Sequence, residues 1–293
     1  MEVGKALKMI RTSKNLTQKS VAEGIMTRAH YANVEAGKIF PAIDKVLDIL
    51  KKFNVSAPEF FFIVEGYKMS EEQNLFSEVS IAWNLNNIEK LKEIQQSLRM
   101  VSKAEQRNQH YRLILNLVDG LIYQREPNYN EEKLNEILQP IKDYLTSLDT
   151  WYVFDLHMFN NILYIFQKED IRKLSQILLE MIKKYENYPN MYQLNLAILS
   201  NLGSLFLDAE EYEEASFYMK EAIKFSEKKM YLYERLINEI NLIICNFYLK
   251  KHTQVETTQA LDKKLWVLKE LGYESLVNQI KIEINQKYSE ICV

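Results

Sequence analysis

Apolar residues recur at three- and four-residue spacing along almost the whole chain, and no convincing alternating stretch predicts a strand. Val3, Ala6, Leu7 and Ile10 share one face, which predicts a first helix over residues 3–13. Thr17 is placed as the N-cap of a short second helix that turns Val21 and Ala22 inward. Gly24-Ile25-Met26 reads as a tight turn, and Thr27 as the N-cap of a third helix with Tyr31 and Val34 in the core and Gly37 at its end. Pro41 suits the start of a fourth helix, whose buried face is Val46, Ile49 and Leu50. A fifth begins around Pro58. Two short helices joined by a tight turn inside such a bundle form a helix-turn-helix.

After a short candidate linker, Gly66-Tyr67-Lys68-Met69-Ser70, the chain becomes a succession of amphipathic helices of about 12 to 18 residues, which raises the question of a repeat. Residues 196–229 carry Leu199, Leu202, Gly203, Phe206, Tyr212, Ala215, Met219 and Ala222 at offsets that resemble the tetratricopeptide repeat. In such a hairpin the glycine and alanines allow two helices to approach closely. Forty residues earlier Phe159, Ile162, Leu163, Phe166 and Leu179 occupy matching positions, and before them Ile114, Leu117, Val118 and Leu121. Residues 236–271 give a more degenerate copy. The pattern predicts an all-α chain: a five-helix helix-turn-helix domain over residues 1–66, then a tetratricopeptide-like helical-hairpin solenoid over residues 70–293.

Composition narrows the chemistry. With seven glycines and five prolines in 293 residues there is no Gly-rich phosphate loop. The four histidines are scattered, no nucleophile motif appears, and no carboxylate pair stands out, so no catalytic residue, metal site or cofactor is expected. Cys245 and Cys292 lack metal-ligand spacing. No apolar run approaches a membrane span and the N-terminus lacks a signal-peptide core, so a cytoplasmic location without membrane contact is expected. The net charge of −3 is unevenly divided. Residues 1–66 hold ten Lys/Arg against seven Asp/Glu, and the remainder 27 against 33. The basic end can therefore attract phosphates while the acidic remainder stays off them.

In a helix-turn-helix the second helix presents its N-terminal side chains to base edges in the major groove. The outward positions here are Arg28, Ala29, His30 and Asn33. Arg28 suits guanine or phosphate, Asn33 suits adenine, and His30 can donate to either. Thr17, Gln18 and Thr27 stand at helix N-termini, where hydroxyls and backbone N–H groups meet phosphate oxygens, and Lys38 follows the helix. Solvated surface is the alternative role for Gln18 or Asn33, and capping or packing for His30.

The inner side of a hairpin solenoid is lined by the first helix of each repeat. Asn116, Asn161 and Asn201 share one repeat position, and Asn241 lies 40 residues beyond the last. Asn160, Tyr164 and Asn238 fall nearby, as do Arg112 and His157. A ladder of amides suits an extended peptide, since each can donate to a backbone carbonyl and accept from a backbone N–H. Arg112 suits a peptide carboxylate. The alternative is that these asparagines simply solvate a helix face.

The stretch L-T-Q-K-x-V-A-E followed by T-R-x-x-Y-x-x-V-E-x-G, within residues 3–63, resembles the Xre/Cro-type helix-turn-helix family. In that family Gln18 matches a glutamine that touches DNA, and Glu35 matches a glutamate near the end of the third helix. The 13 residues from Ala22 to Glu35 are one fewer than in the commonest version. This shorter turn resembles Rgg/MutR-like regulators and the pheromone-receptor repressors of conjugative plasmids, and G-I-M-T-R-A-H-Y-A-N-V-E-A is closest to the latter. Such a domain followed by an acidic repeat domain resembles the peptide-pheromone-responsive regulators. That resemblance implies a homodimer that binds double-stranded DNA at an inverted-repeat operator, and a repeat domain that binds a short signalling peptide. A helix-turn-helix repressor whose repeat domain serves only dimerisation or protein docking is the alternative.

Overall fold

The computed structural model describes residues 2–68, 71–104, 109–188 and 191–291. Met69 and Ser70 of the candidate linker, and Cys292, lie outside them. The described residues form sixteen α-helices and no strand. The chain divides into two compact units, Met1–Gln96 and Ser97–Val293.

In the first unit, α1 (Val3–Ser13), α2 (Gln18–Ala22), α3 (Arg28–Glu35), α4 (Ile43–Phe53) and α5 (Ala57–Val64) enclose one core. Leu7, Tyr31, Ile49, Phe53 and Phe60 are fully buried in it. The helix ends follow the chemistry of their caps. Thr17, Thr27 and Ser56 each accept a hydrogen bond from the backbone N–H three residues on, which satisfies one of the donors a helix start leaves unpaired. Asn54 ends α4 in the left-handed conformation. Gly37, at φ +70°, takes the same conformation after α3. Gly4 has a different task. A Cβ there would lie 2.0 Å from the Val34 carbonyl oxygen, so only glycine lets α1 pack directly on the α3 backbone. The unit also takes in α6 (Glu71–Asn84) and the start of α7 (Ile88–Ala104).

The second unit is built of hairpins: α8 (Gln109–Tyr123) with α9 (Glu131–Thr146), α10 (Val153–Ile162) with α11 (Lys168–Lys184), α12 (Met191–Asp208) with α13 (Tyr212–Lys229), and α14 (Leu232–Tyr248) with α15 (Gln254–Glu270). Helix α16 (Glu274–Lys287) closes the series against α15. The first helices of successive hairpins touch in order, α8 on α10, α10 on α12 and α12 on α14, and so form an inner layer. The repeat positions expected at residues 196–229 are core: Leu199, Leu202, Phe206, Ala215, Met219 and Ala222 are all buried. A Cβ at Gly203 would meet Met219 Cγ at 2.8 Å, and one at Gly120 would meet Leu138 Cδ2 at 2.6 Å. Close approach of the two helices thus depends on glycine in two hairpins.

The second hairpin departs from the expected register. Its first helix stops at Ile162 and tightens into a 3₁₀ turn, Leu163–Ile165, before Phe166 becomes extended. The tighter winding rotates the second helix of the hairpin relative to the first. The residue fully buried on α11 is accordingly Leu178 rather than the expected Leu179, which is half-buried. Ion pairs bind neighbouring second helices: Lys168 to Glu211 at 3.0 Å, and Arg172 to Glu214 at 2.8 Å, both from α11 to α13.

Candidate functional site

The turn between α2 and α3 is fixed at both ends. The Ala22 carbonyl accepts from the N–H of both Ile25 and Met26 at 2.9 Å, with Gly24 at φ +76° in between. Lys52, in the last turn of α4, donates to the Ser20 carbonyl at 3.0 Å and to that of Glu23. A cation is thereby placed on the C-terminal end of α2, where the helix dipole favours it.

Beneath the turn lies a buried ion pair that composition gives no hint of. Arg11 of α1 reaches Glu35 of α3 through two hydrogen bonds, Nε to Oε1 at 2.6 Å and an Nη to Oε2 at 3.0 Å, and its other Nη donates to the Leu16 carbonyl at 2.8 Å. The Glu35 side chain is 2% exposed. Gln18 completes the set, its Nε2 donating to Glu35 Oε2 at 2.9 Å. Burial alone would push the Glu35 carboxyl up, but hydrogen bonds from Arg11, Gln18 and Tyr31 together with the guanidinium charge outweigh it and hold the group below the usual carboxylate range. The Tyr31 hydroxyl is pushed up, by burial first and then by that carboxylate. One carboxylate therefore locks α1, α2 and α3 together. Arg11 follows Leu7 by four residues on the inward face of α1, and that position was the available sequence signal.

The side chains expected to face DNA divide into two groups. Arg28, Ala29 and His30 are exposed in the first turn of α3, with Asn33 half-buried one turn on and Lys38 exposed beyond it. Thr17 and Thr27 are exposed, each with its hydroxyl serving as an N-cap acceptor, Thr17 for Ser20 and Thr27 for His30. Gln18 is half-buried with its amide nitrogen held by Glu35, so it stands between the core network and the surface.

On the inner layer of the second unit the asparagines do not form one uniform row. Asn201 of α12 donates to Asn160 Oδ1 of α10 at 3.0 Å. Asn238 of α14 is buried and donates to Ser200 Oγ of α12 and to the Glu234 carbonyl, both at 2.8 Å. The Asn201–Asn160 and Asn238–Ser200 contacts join successive first helices. Asn161 instead bonds back to the His157 carbonyl in its own helix, at 2.8 Å. Asn116 points across its hairpin and donates to the Ile137 carbonyl of α9 at 3.3 Å. That carbonyl lies one turn before Pro140, whose ring disrupts regular α-helical bonding. Asn241 is half-buried on α14. Tyr164 sits in the 3₁₀ turn, with its hydroxyl accepting from Gln124 of α8 and pushed up in pKa mainly by burial. His157 is half-buried and burial lowers its pKa, which keeps the imidazole neutral at neutral pH. Arg112 is exposed on α8.

Between α12 and α14 the same layer opens into a cleft of about 220 Å³, bordered by Leu196, Ala197 and Ile237, by the rings of Tyr231 and Tyr233, and by Glu234. None of these six stands out in the sequence, because each looks like ordinary hairpin packing until the two helices are placed side by side. Among the described residues no group of His, Cys, Asp or Glu is arranged to hold a metal ion, and no helix is long and apolar enough to cross a membrane.

Known proteins show the same division. Residues 7–60 match a helix-turn-helix family model, and residues 78–282 match that of the C-terminal domain of the HTH-type transcriptional regulator Rgg. The chain is similar in structure to a Listeria monocytogenes EGD-e protein described as a transcriptional regulator, with a TM-score of 0.80 at 20% identity over 99% of this chain and 98% of that one. It is similar to the SHP pheromone receptor Rgg2 of Streptococcus dysgalactiae, with a TM-score of 0.69 at 17% identity over 97% and 99% of the two chains. It is also similar to Bacillus thuringiensis PlcR, solved in complex with the peptide PapR7 and DNA, with a TM-score of 0.63 at 17% identity over 95% and 98%. The architecture is thus shared from end to end, and the Rgg model covers more than half of the sequence. The chain belongs to the Rgg family of helix-turn-helix transcriptional regulators.

Proposed function

We propose that this regulator binds an inverted-repeat operator as a cytoplasmic homodimer, and that a short signalling peptide on the inner layer of its second unit alters DNA binding or oligomer state. The observation that carries the reading is the pairing of an exposed recognition-helix start, Arg28 to His30, with a separate open cleft on the inner helix layer. The PlcR structure, which holds both a peptide and DNA on a similar fold, supports it.

In the reading proposed, Arg28, Ala29, His30 and Asn33 face base edges, while Thr17, Gln18, Thr27 and Lys38 face phosphates. Arg112, Asn116, His157, Asn160, Asn161, Tyr164, Asn201, Asn238 and Asn241 border the peptide site, and several of them also hold neighbouring helices at fixed spacing. A ligand that favours one spacing of α10, α12 and α14 would then shift the equilibrium between two arrangements of the unit. Dimerisation is supported by an apolar stripe on the first unit: Phe40 is 89% exposed, Ile43 63% and Leu47 40%. Asp44 and Lys51 flank Leu47 at similar distances along α4, so an antiparallel copy of the helix would set each acid against a base.

In vitro selection from random duplex DNA tests the operator. The expected product is a two-fold symmetric sequence with half-sites about 34 Å apart, or a multiple of that spacing. Recovery of asymmetric sequences, or of none, would refute the dimeric operator reading.

A further inference from the structure

We propose that the cleft between α12 and α14 is the subsite for the first residue of an apolar peptide, with its α-ammonium against Glu234 and its side chain between Leu196, Ala197 and Ile237. This rests on the peptide reading of the inner layer.

The walls are built before any ligand arrives. Tyr231 stacks on Tyr192, with ring centroids 5.2 Å apart and planes 15° from parallel, and Tyr192 stacks in turn on Phe225 at 4.3 Å. Tyr233 packs on Tyr273 at 5.4 Å. At the base, buried Asn238 bridges Ser200 and the Glu234 carbonyl, which sets the separation of α12 and α14. A site whose side chains are already immobilised loses little conformational entropy on binding.

Charge then selects the occupant. The neighbouring acids on this part of the chain are neutralised: Glu239 by Arg235 and Lys264, and Glu227 by Arg235. Among the described residues Glu234 forms no ion pair, yet it is half-buried beside three aliphatic side chains and two aromatic rings. A carboxylate next to apolar walls is exposed to less solvent screening and attracts a cation more strongly than one in open water. The ligand group must therefore carry positive charge and apolar surface together. At about 220 Å³ the cleft holds roughly one residue, not a passing strand. The first residue of a peptide carries its ammonium and its side chain on one Cα, so the two diverge at once toward the two walls. A lysine would bring its charge only at the end of its own stem, away from the backbone.

The test uses the full chain and a random heptapeptide library prepared in two forms, with free amino termini and N-acetylated. Affinity selection is expected to recover the free-amine form with Leu, Ile, Val or Phe at the first position, enriched about tenfold or more over acetylated counterparts, as loss of a desolvated charge partner implies. Glu234→Gln should remove that preference while preserving the thermal melting of the chain. Ala197→Phe, which fills the cleft without touching the charge, should lower recovery of the free-amine form. Equal recovery of both forms, or enrichment of internal Lys or Arg regardless of acetylation, would overturn the subsite while leaving a peptide ligand standing. Failure of the full chain to retain either form would overturn the peptide reading and this inference with it.

Discussion

Removing one partner of the Arg11–Glu35 pair should destabilise the helix-turn-helix far more than removing both. In Arg11→Met the Glu35 carboxylate stays buried with its guanidinium partner gone, and the Leu16 carbonyl loses a donor. Breaking a buried ion pair from one side costs about 3–5 kcal/mol, because the remaining charge is desolvated without compensation. Replacing both residues by methionine removes the charges together, and such swaps are often close to neutral. The double variant then carries only the lost hydrogen bonds of Leu16 and Gln18, at about 1 kcal/mol each. Amide hydrogen exchange of α3 in the full chain reads the difference locally. Exchange in Arg11→Met should accelerate by roughly 150- to 5000-fold, since each 1.4 kcal/mol is tenfold, and most of that should be recovered in the double variant. The sign of the pH dependence comes from the depressed carboxyl. A group whose folded value lies below its unfolded one, about 4.3 for glutamate, contributes stability above the unfolded value and loses it as pH falls through the folded one. Protection of α3 should therefore fall away below about pH 4, and the doubly substituted protein should show less of that fall. A single variant within 1 kcal/mol of the parent, or a double variant worse than the single, would refute the assignment of α3 docking to this pair.

Gly4→Ala should abolish DNA binding, since its Cβ meets the backbone oxygen of Val34 and α1 must move off α3; Gly203→Ala meets only the flexible Met219 side chain and should lower the melting temperature slightly, by about 1–3 kcal/mol of overpacking at most, as circular dichroism would show. Arg28→Ala combined with Asn33→Ala should remove operator-specific footprints, at about 1–3 kcal/mol per lost base contact, while non-specific binding retains its salt dependence; an unchanged footprint would exclude α3 as the reading helix. Leu47→Lys should weaken operator binding and shift the sedimentation of the full chain toward monomer without altering its helix content; a dimer of undiminished affinity would place the two-fold contact elsewhere.

The helices of the first unit are legible in the sequence because each boundary has a local cause. Thr17 and Thr27 cap by their own hydroxyls, Gly37 takes a left-handed conformation, and the apolar spacing names the buried face. What locks those helices is not local. Arg11 and Glu35 are 24 residues apart, and Lys52 lies 32 from the Ser20 carbonyl it reaches, so periodicity shows which way each residue faces but not what meets it. The asparagine row shows the same limit from the other side. Counting by repeat length aligns Asn116, Asn161 and Asn201, but a shared position does not fix a side-chain direction. Asn116 turns toward a carbonyl one turn before Pro140, Asn161 folds back on its own helix before the 3₁₀ turn, and Asn201 crosses to the next repeat. Each difference comes from a local irregularity that a consensus averages away. Those irregularities are also where such a solenoid is able to change. A layer held by single amide contacts between α10, α12 and α14 can be respaced at the cost of a few hydrogen bonds, each worth about 1 kcal/mol. An ion pair between a ligand and Glu234 is of comparable size, so one anchored residue at the α12–α14 cleft is sufficient to bias the spacing of the whole layer.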